Sequence, residues 1–259
     1  MSDIQSTIEQ ELSNIEKNHG VKIIHCIESG SRAWGFASPD SDYDVRFIYA
    51  HPKDWYISLF EKRDVIERPI DKVLDISGWD IKKALHLMLK ANGPLYEWLS
   101  SPIVYRQKPE QAEILKKLAM SCYNPVAIFY HYKAMTKSKT SELLGQNDVK
   151  LKTCLYALRT AMCCEWIIKH ASPPPVVFNE LLVSYFESQA NNALQLEIEN
   201  LLKQKKGVGE KQVMPKSEII ENYLQEALAS FDNAALTVGE KANQNEFDKG
   251  FIDILGVWG

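Results

Sequence analysis

The sequence predicts an α+β protein, with a small mixed sheet and its helices in the first part of the chain and an all-helical second part. Up to about residue 108, apolar runs of strand length alternate with segments of helical periodicity. Beyond that point the apolar residues recur almost only at spacings of three and four. A chain of 259 residues with 45% hydrophobic residues can form one large or two smaller cores. We therefore expect a first domain over residues 1–108 and a helical domain over residues 109–259.

The first elements can be placed along the chain in order. Residues 2–19 carry an apolar stripe at helical spacing, and Gly20 stands where a helix C-cap is expected. Strand-like runs follow over residues 21–27 and 42–49, with a turn between them. A shorter run over residues 72–76 predicts a third strand, after which Asp80 is expected to begin a helix.

Two carboxylates lie one residue apart at the start of the second predicted strand. Side chains alternate across a strand, so Asp42 and Asp44 share one face, whereas Val45 and Phe47 lie on the other and can be buried. Converging carboxylates suit a hard cation such as Mg²⁺, which takes its remaining ligands from waters and substrate phosphates. The pattern predicts a magnesium site with a phosphate-bearing substrate.

A Gly-Ser turn follows the first predicted strand. Gly30 allows a close approach of the backbone, and backbone N–H groups that open a helix after a strand form an anion site. The Ser31 hydroxyl can add a hydrogen bond. Arg32 can neutralise phosphate charge, or it can be a solvated surface arginine.

The segment Gly30-Ser31, ten residues, then Asp42-Tyr43-Asp44 resembles the signature of the DNA polymerase β-type nucleotidyltransferases. The fuller run over residues 28–49, with residues 92–99, is similar to a narrower family, the RlaP nucleotidyltransferases, which are linked to RNA repair. This resemblance implies two Mg²⁺ ions, with Mn²⁺ as an alternative, a nucleoside triphosphate such as ATP, and transfer of its nucleoside monophosphate to a hydroxyl, on RNA. It also implies that the helical domain closes the nucleotide cleft.

The same resemblance requires a third carboxylate on a neighbouring strand, for which the sequence offers Asp71, Asp75 and Asp80. Asp75 lies between Leu74 and Ile76, as expected in a buried strand, and is the preferred ligand. Asp80 fits a helix start better. The alternative for Asp75 alone is an ordinary acid at the end of a strand.

Three residues of the second half stand at positions i, i+4 and i+7 of a long predicted helix, which runs from about residue 149 to 170. Lys152, Tyr156 and Arg159 are thus neighbours on its surface, and they match a pattern of the RlaP-like family that is expected to hold the triphosphate. A solvated basic face is the alternative. The polar residues 137–148 predict a loop, and the basic residues 203–209 predict another loop that is either solvent-exposed or in contact with nucleic acid.

Composition limits the function classes. No run approaches the roughly 20 apolar residues of a membrane span, and the N-terminus lacks a signal-peptide pattern, so we expect a cytoplasmic protein. Five cysteines without zinc-ligand spacing indicate free thiols. The net charge of −4 argues against a wholly basic nucleic-acid surface. Three hypotheses remain: RNA nucleotidyl transfer, adenylyl transfer to a small molecule or protein, and a catalytically idle nucleotide-binding module.

Overall fold

The computed structural model describes residues 3–68, 73–189, 191–207, 209 and 212–259. These residues form two compact units. The sheet unit comprises Met1–Ala33, Asp42–Tyr123 and Glu240–Gly259, and the helical unit comprises Trp34–Ser41 and Asn124–Gly239. None of the helices in the described ranges has the length and hydropathy that a bilayer crossing requires.

The sheet unit combines five strands with helices. In chain order its elements are α1 Asp3–His19, β1 Lys22–Glu28, α2 Gly30–Ala33, β2 Tyr43–Ala50, α3 Lys53–Tyr56, β3 Val65–Glu67, β4 Leu74–Asp80, α4 Ile81–Leu89, α5 Gly93–Ser100, β5 Val104–Gln107, α6 Pro109–Ser121 and α12 Gln244–Leu255, followed by a 3₁₀ turn Gly256–Trp258.

The sheet has the strand order β3-β4-β2-β1-β5. Strands β2 and β4 are parallel, and the other neighbouring pairs are antiparallel. In the parallel pair, Asp44 stands opposite Asp75. The mixed sheet predicted from the sequence is therefore present, and it brings the starts of β2 and β4 side by side.

Alternation along the strands explains how the sheet is anchored. Val45, Phe47 and Tyr49 of β2 are fully buried and join one core with α1 residues such as Leu12. Because Asp44 and Arg46 alternate with these apolar residues, they lie on the opposite face. Burial of one face thus fixes the orientation of the polar residues on the other.

The helical unit contains five helices of 11 residues or more and one short two-stranded ladder among its described residues. Its elements are α7 Pro125–Leu144, β6 Asp148–Lys150, α8 Leu151–His170, α9 Phe178–Ser188, α10 Asn192–Gly207, β7 Val213–Pro215 and α11 Glu218–Phe231. Helix α8 packs against α7, α9 and α11.

The bounds of the compact units differ from the expected division at residue 108. Helices α6 and α12 lie in the sheet unit, where α12 packs against α4 and α6. Residues 34–41, between the Gly-Ser pair and the acid pair, lie in the helical unit. The assignment of residues 1–108 and 109–259 to two functional domains stays a prediction.

Two segments differ locally from the sequence-based expectation. The predicted polar loop over residues 137–148 was wrong for most of its length, because α7 continues to Leu144. The strand predicted over residues 72–76 is β4, which spans Leu74–Asp80, and a short strand that was not predicted, β3, precedes it. The alternative ligand Asp71 lies outside the described residues.

Candidate active site

The carboxylates of Asp44 and Asp75 converge on one cationic group, the guanidinium of Arg46. Arg46 Nη2 lies 3.2 Å from Asp44 Oδ1 and 2.6 Å from Asp75 Oδ2. The exposed fraction of the side chain is 32% for Asp44, 28% for Asp75 and 19% for Arg46, so solvent reaches the group. The register of β2 against β4 and the alternation along β2 together produce this cluster.

The backbone also holds the Arg46 guanidinium in place. Its Nη1 donates to the carbonyl of Asp75 at 2.9 Å and to that of Val45 at 3.1 Å. A guanidinium with four acceptors has a fixed orientation, and it offsets the repulsion between two neighbouring carboxylates. Arg46 was not among the residues predicted for the site, although it follows Asp44 by two positions and therefore lies on the same face of the strand.

Gly30 lies directly against the Asp44 carboxylate. Its φ of +61° is in the left-handed region, and a Cβ at this position would lie 2.2 Å from Asp44 Oδ2. The adjacent Ser29 N–H donates to the Asp44 carbonyl at 2.8 Å. The glycine of the Gly-Ser pair is therefore required both by backbone conformation and by the space that the acid occupies.

The other predicted residues of the motif flank this cluster. Asp42 is exposed just before β2, and its carbonyl accepts a hydrogen bond from Arg32 Nε at 3.1 Å. The Arg32 guanidinium also lies over the Tyr43 ring, 3.7 Å from its centroid. Ser31 is buried in α2. Arg32 is thus held close to the start of β2 by the backbone carbonyl of Asp42.

Glu28 is a buried acid next to Asp44 that was not predicted from the sequence. It is fully buried at the end of β1, and one carboxylate oxygen accepts the Asp44 N–H at 2.8 Å. The other oxygen accepts the Tyr105 hydroxyl, and the Glu28 carbonyl accepts from Ser101 Oγ at 2.6 Å. An acid at the end of a predicted apolar strand was the available signal.

Burial raises the pKa of Glu28 to about 7 from an ordinary value of 4.5, although the hydrogen bonds from Tyr105 and the Asp44 N–H oppose the shift. Between these two pH values the folded chain binds a proton that the unfolded chain has released. The free energy of unfolding therefore falls as pH rises from about 4.5 to 7. Above about pH 7 this loss of stability is complete, because Glu28 is ionised in both states.

We expect the variant Glu28→Gln to lose this part of the pH dependence, because glutamine cannot ionise. Urea unfolding between pH 4.5 and 8 measures the free energy of unfolding of each protein. The decline with rising pH should be smaller in Glu28→Gln than in the natural chain, and unchanged in Glu61→Gln, whose carboxylate is exposed. Parallel curves for the natural chain and Glu28→Gln would contradict the assignment of this titration to Glu28.

Asp80 is confirmed as a helix start and lies apart from the acid pair along β4. Its Oδ1 accepts the Lys82 N–H at 2.8 Å as the N-cap of α4, and its Oδ2 accepts the Tyr56 hydroxyl at 2.8 Å. Burial raises its pKa to about 6. Asp80 follows Asp75 by five positions along the strand, about 16 Å, so it is not a member of the cluster.

Within the helical unit, two members of the α8 triplet, Tyr156 and Arg159, contact an aromatic residue of segment 34–41. The Arg159 guanidinium lies 4.3 Å from the centre of the Trp34 ring, and its Nη2 donates to the Val176 carbonyl at 3.2 Å. Tyr156 makes an edge contact with Trp34 at 4.7 Å. Arg159 is only 2% exposed, so it is an anchor for Trp34 in this conformation.

The remaining basic candidates also have defined places. Lys152 is half-buried, with its Nζ 5.8 Å from the centre of the Tyr156 ring. The expected basic loop is helical up to Gly207, the end of α10, and Lys205 within it is buried, donating to Ser38 Oγ at 3.1 Å. Binding of a triphosphate by Lys152, Tyr156 and Arg159 stays a prediction.

The acid pair fits a divalent cation. Among the described residues, no three or more His, Cys, Asp or Glu side chains form a preassembled group for a metal ion. Mg²⁺ does not need such a cage, since it binds through one or two carboxylates together with waters and substrate phosphates. Asp44 and Asp75 already share one cation, Arg46, and the missing side chain of Gly30 leaves Asp44 Oδ2 room beside the turn.

Comparison with known proteins places the chain in a family. The model of RlaP, described as the RNA repair pathway DNA polymerase beta family, matches residues 4–253. The Bacillus subtilis (strain 168) protein named "Uncharacterized protein YcgL" is 43% identical over 232 residues, which cover 90% of this chain and 88% of that protein. The crystal structure of a nucleotidyltransferase-like protein from Exiguobacterium sibiricum 255-15 aligns with a TM-score of 0.32 and 11% identity, over 88% of this chain and 74% of that chain. The match of the family model over residues 4–253 shows that the chain belongs to the RlaP family, and this membership makes it a nucleotidyltransferase of the polymerase beta type.

Proposed function

We propose that this protein transfers a nucleoside monophosphate from a nucleoside triphosphate to a hydroxyl group and releases pyrophosphate, at the paired carboxylates of Asp44 and Asp75 with Asp42 beside them. The observation that carries the proposal is the pairing of Asp44 and Asp75 on adjacent parallel strands, where both contact one cation beside Gly30. In the reaction, a bond forms between the acceptor oxygen and the α-phosphorus, and the bond from that phosphorus to the leaving pyrophosphate breaks.

The cofactor in this proposal is Mg²⁺, as two ions, with Mn²⁺ as an alternative. Asp42 and Asp44 are assigned to hold both ions, and Asp75 to hold the one nearer the acceptor. Such ions supply activation of the attacking hydroxyl and neutralisation of the triphosphate charge. Arg46, which the Val45 and Asp75 carbonyls hold in place, orients the Asp44 and Asp75 carboxylates through one hydrogen bond to each.

Gly30, Ser31 and Arg32 are assigned to the triphosphate side of the site. Gly30 leaves space beside Asp44, and Arg32 supplies a positive charge at the start of β2, where its Nε bonds the Asp42 carbonyl. A guanidinium presents several N–H donors to phosphate oxygens at once. We therefore expect Arg32 to contribute to the affinity for the nucleotide.

The proposed acceptor is RNA. The description of the family as part of an RNA repair pathway supports it. The net charge of −4 favours the alternative acceptor, a small molecule or a protein, since acidic proteins need a local basic surface to bind a polynucleotide. The two acceptor classes are separated by experiment.

The test incubates the protein with each of four α-labelled nucleoside triphosphates and Mg²⁺, with cellular RNA and lysate protein as separate acceptors. We expect label in RNA, and none with the variant Asp42→Ala/Asp44→Ala. The base that gives label identifies the preferred nucleotide. Label in protein would replace RNA as the acceptor, whereas transfer to neither, despite nucleotide binding, would contradict transfer to a macromolecule.

A further inference from the structure

Helices α8 and α9 of the helical unit line a partly open cavity of about 200 Å³. Its walls include the aromatic residues Trp166 and Tyr185 and the aliphatic residues Met162 and Leu181, together with the carboxylate of Glu165. An apolar cavity of about 150 Å³ suffices for benzene. The space therefore fits a molecule of about five to eight non-hydrogen atoms.

Glu165 is the one carboxylate among the residues that line this cavity. Within the described part of the chain it accepts no hydrogen bond and forms no ion pair, and burial alone raises its pKa. Glu165 is partly buried, and a carboxylate that is partly removed from water without a partner gains free energy when a cation binds it.

The lysine at the right spacing to neutralise Glu165 is bound elsewhere. Lys169 follows Glu165 by four residues on α8, a spacing that favours ion pairs. Its Nζ donates instead to the carbonyl of Ser184 on α9, at 3.1 Å. The hydroxyl of Tyr185 is also engaged, since it donates to Gln189 Oε1 at 3.2 Å. The Lys169 ammonium and the Tyr185 hydroxyl thus bond to acceptors other than Glu165.

The composition of the wall distinguishes between kinds of cation. A single carboxylate among carbon-rich side chains is a poor site for a metal ion, which requires several oxygen ligands. Aromatic rings beside a carboxylate are typical of sites for organic cations, because the ring face attracts a desolvated ammonium group. An apolar stem can contact Met162 and Leu181, as ligand cavities commonly combine apolar walls with a few polar anchors.

We infer that this cavity binds a small organic amine, with its ammonium group paired to the Glu165 carboxylate and its apolar stem between α8 and α9. The site lies wholly within the helical unit and does not depend on the proposed transfer reaction. The ligand class is a primary ammonium on a stem of four or five carbons.

The first experiment measures the binding of n-butylamine and of its uncharged analogue n-butanol to the natural chain by calorimetry at pH 7.5. The two probes fill nearly the same volume and differ in charge, so their affinities isolate the contribution of the carboxylate. We expect the amine to bind at least tenfold more tightly than the alcohol. Equal affinities, or no binding of the amine at millimolar concentration, would overturn the inference.

The second experiment repeats the amine titration with Glu165→Gln and with the control Glu187→Gln, an exposed position of α9 outside the cavity lining. We expect at least a tenfold loss of amine affinity in Glu165→Gln, no loss in the control, and unchanged butanol binding in both. Retained amine affinity in Glu165→Gln would overturn the assignment. Circular dichroism checks folding, and the probe pair on the natural chain tests the inference even if the variant does not fold.

Discussion

The variant Asp44→Asn is expected to lose nucleotidyl transfer by a factor of about 1000 or more while it keeps its fold. A divalent ion at such a site contributes several kcal/mol to the transition state, and each 1.4 kcal/mol corresponds to about a factor of ten in rate. Asparagine preserves the shape of the side chain and can still accept the Arg46 hydrogen bond, but it removes the charge. Incorporation of label at saturating nucleotide measures the rate.

The stability of Asp44→Asn separates loss of chemistry from loss of structure. Replacement of one of two neighbouring carboxylates relieves their repulsion, so the free energy of unfolding should change by no more than about 1 kcal/mol. Asp248→Asn, at an exposed position on α12, is the matched control and should retain full activity. Full activity of Asp44→Asn would exclude Asp44 as a metal ligand.

The variant Gly30→Ala is expected to lower both stability and activity. A non-glycine residue at φ +61° costs about 1–2 kcal/mol, and the new Cβ would also overlap Asp44 Oδ2 at 2.2 Å. Displacement of the Asp44 carboxylate by about 1 Å is expected to lower the rate of transfer by about 100-fold. Thermal unfolding and label incorporation measure the two effects.

Gly20→Ala provides a control for backbone strain alone. Gly20 has the same φ of +61°, but a Cβ at this position would meet no atom within 4 Å. This variant should lose about 1–2 kcal/mol of stability and no activity. If Gly20→Ala and Gly30→Ala had equal effects on both stability and activity, the close contact between Gly30 and Asp44 would have no functional importance.

The sequence was sufficient to predict the start of the sheet and the position of the acids on it. The apolar runs around the Gly-Ser pair predict β1 and β2, and alternation predicts that Asp44 lies opposite the buried face. The neighbouring position of Asp75 followed from a family resemblance and not from periodicity. The parallel register that pairs Asp44 with Asp75 confirms that the two acids are neighbours, whereas their role as metal ligands stays a prediction.

Long-range contacts explain what the sequence did not reveal. Glu28 lies at the end of an apolar strand, and its hydrogen-bond partners Ser101 and Tyr105 are more than 70 residues away along the chain. Trp34 and Arg159 meet only because segment 34–41 lies in the helical unit. Short-range spacing contains no information on such contacts.

The error in α7 has a different physical cause. The buried positions of its later turns include Thr136 and Thr140 in place of large apolar residues, so the apolar periodicity ends before the helix does. The Thr136 hydroxyl donates to the Tyr132 carbonyl at 2.9 Å and lies 3.0 Å from Thr160 Oγ1, so it is satisfied inside the helical unit. A polar sequence was therefore compatible with a buried helix face.

The claim that Asp44 and Asp75 hold the catalytic cation is tested most directly by counting bound Mn²⁺. Electron paramagnetic resonance measures free Mn²⁺ during titration of the protein in the presence of a non-hydrolysable nucleoside triphosphate analogue. Two ions should bind to each natural chain beyond those bound by the analogue alone, and Asp44→Asn and Asp75→Asn should each weaken this binding strongly, whereas Asp248→Asn should not. Equal Mn²⁺ binding by all four proteins would contradict the account.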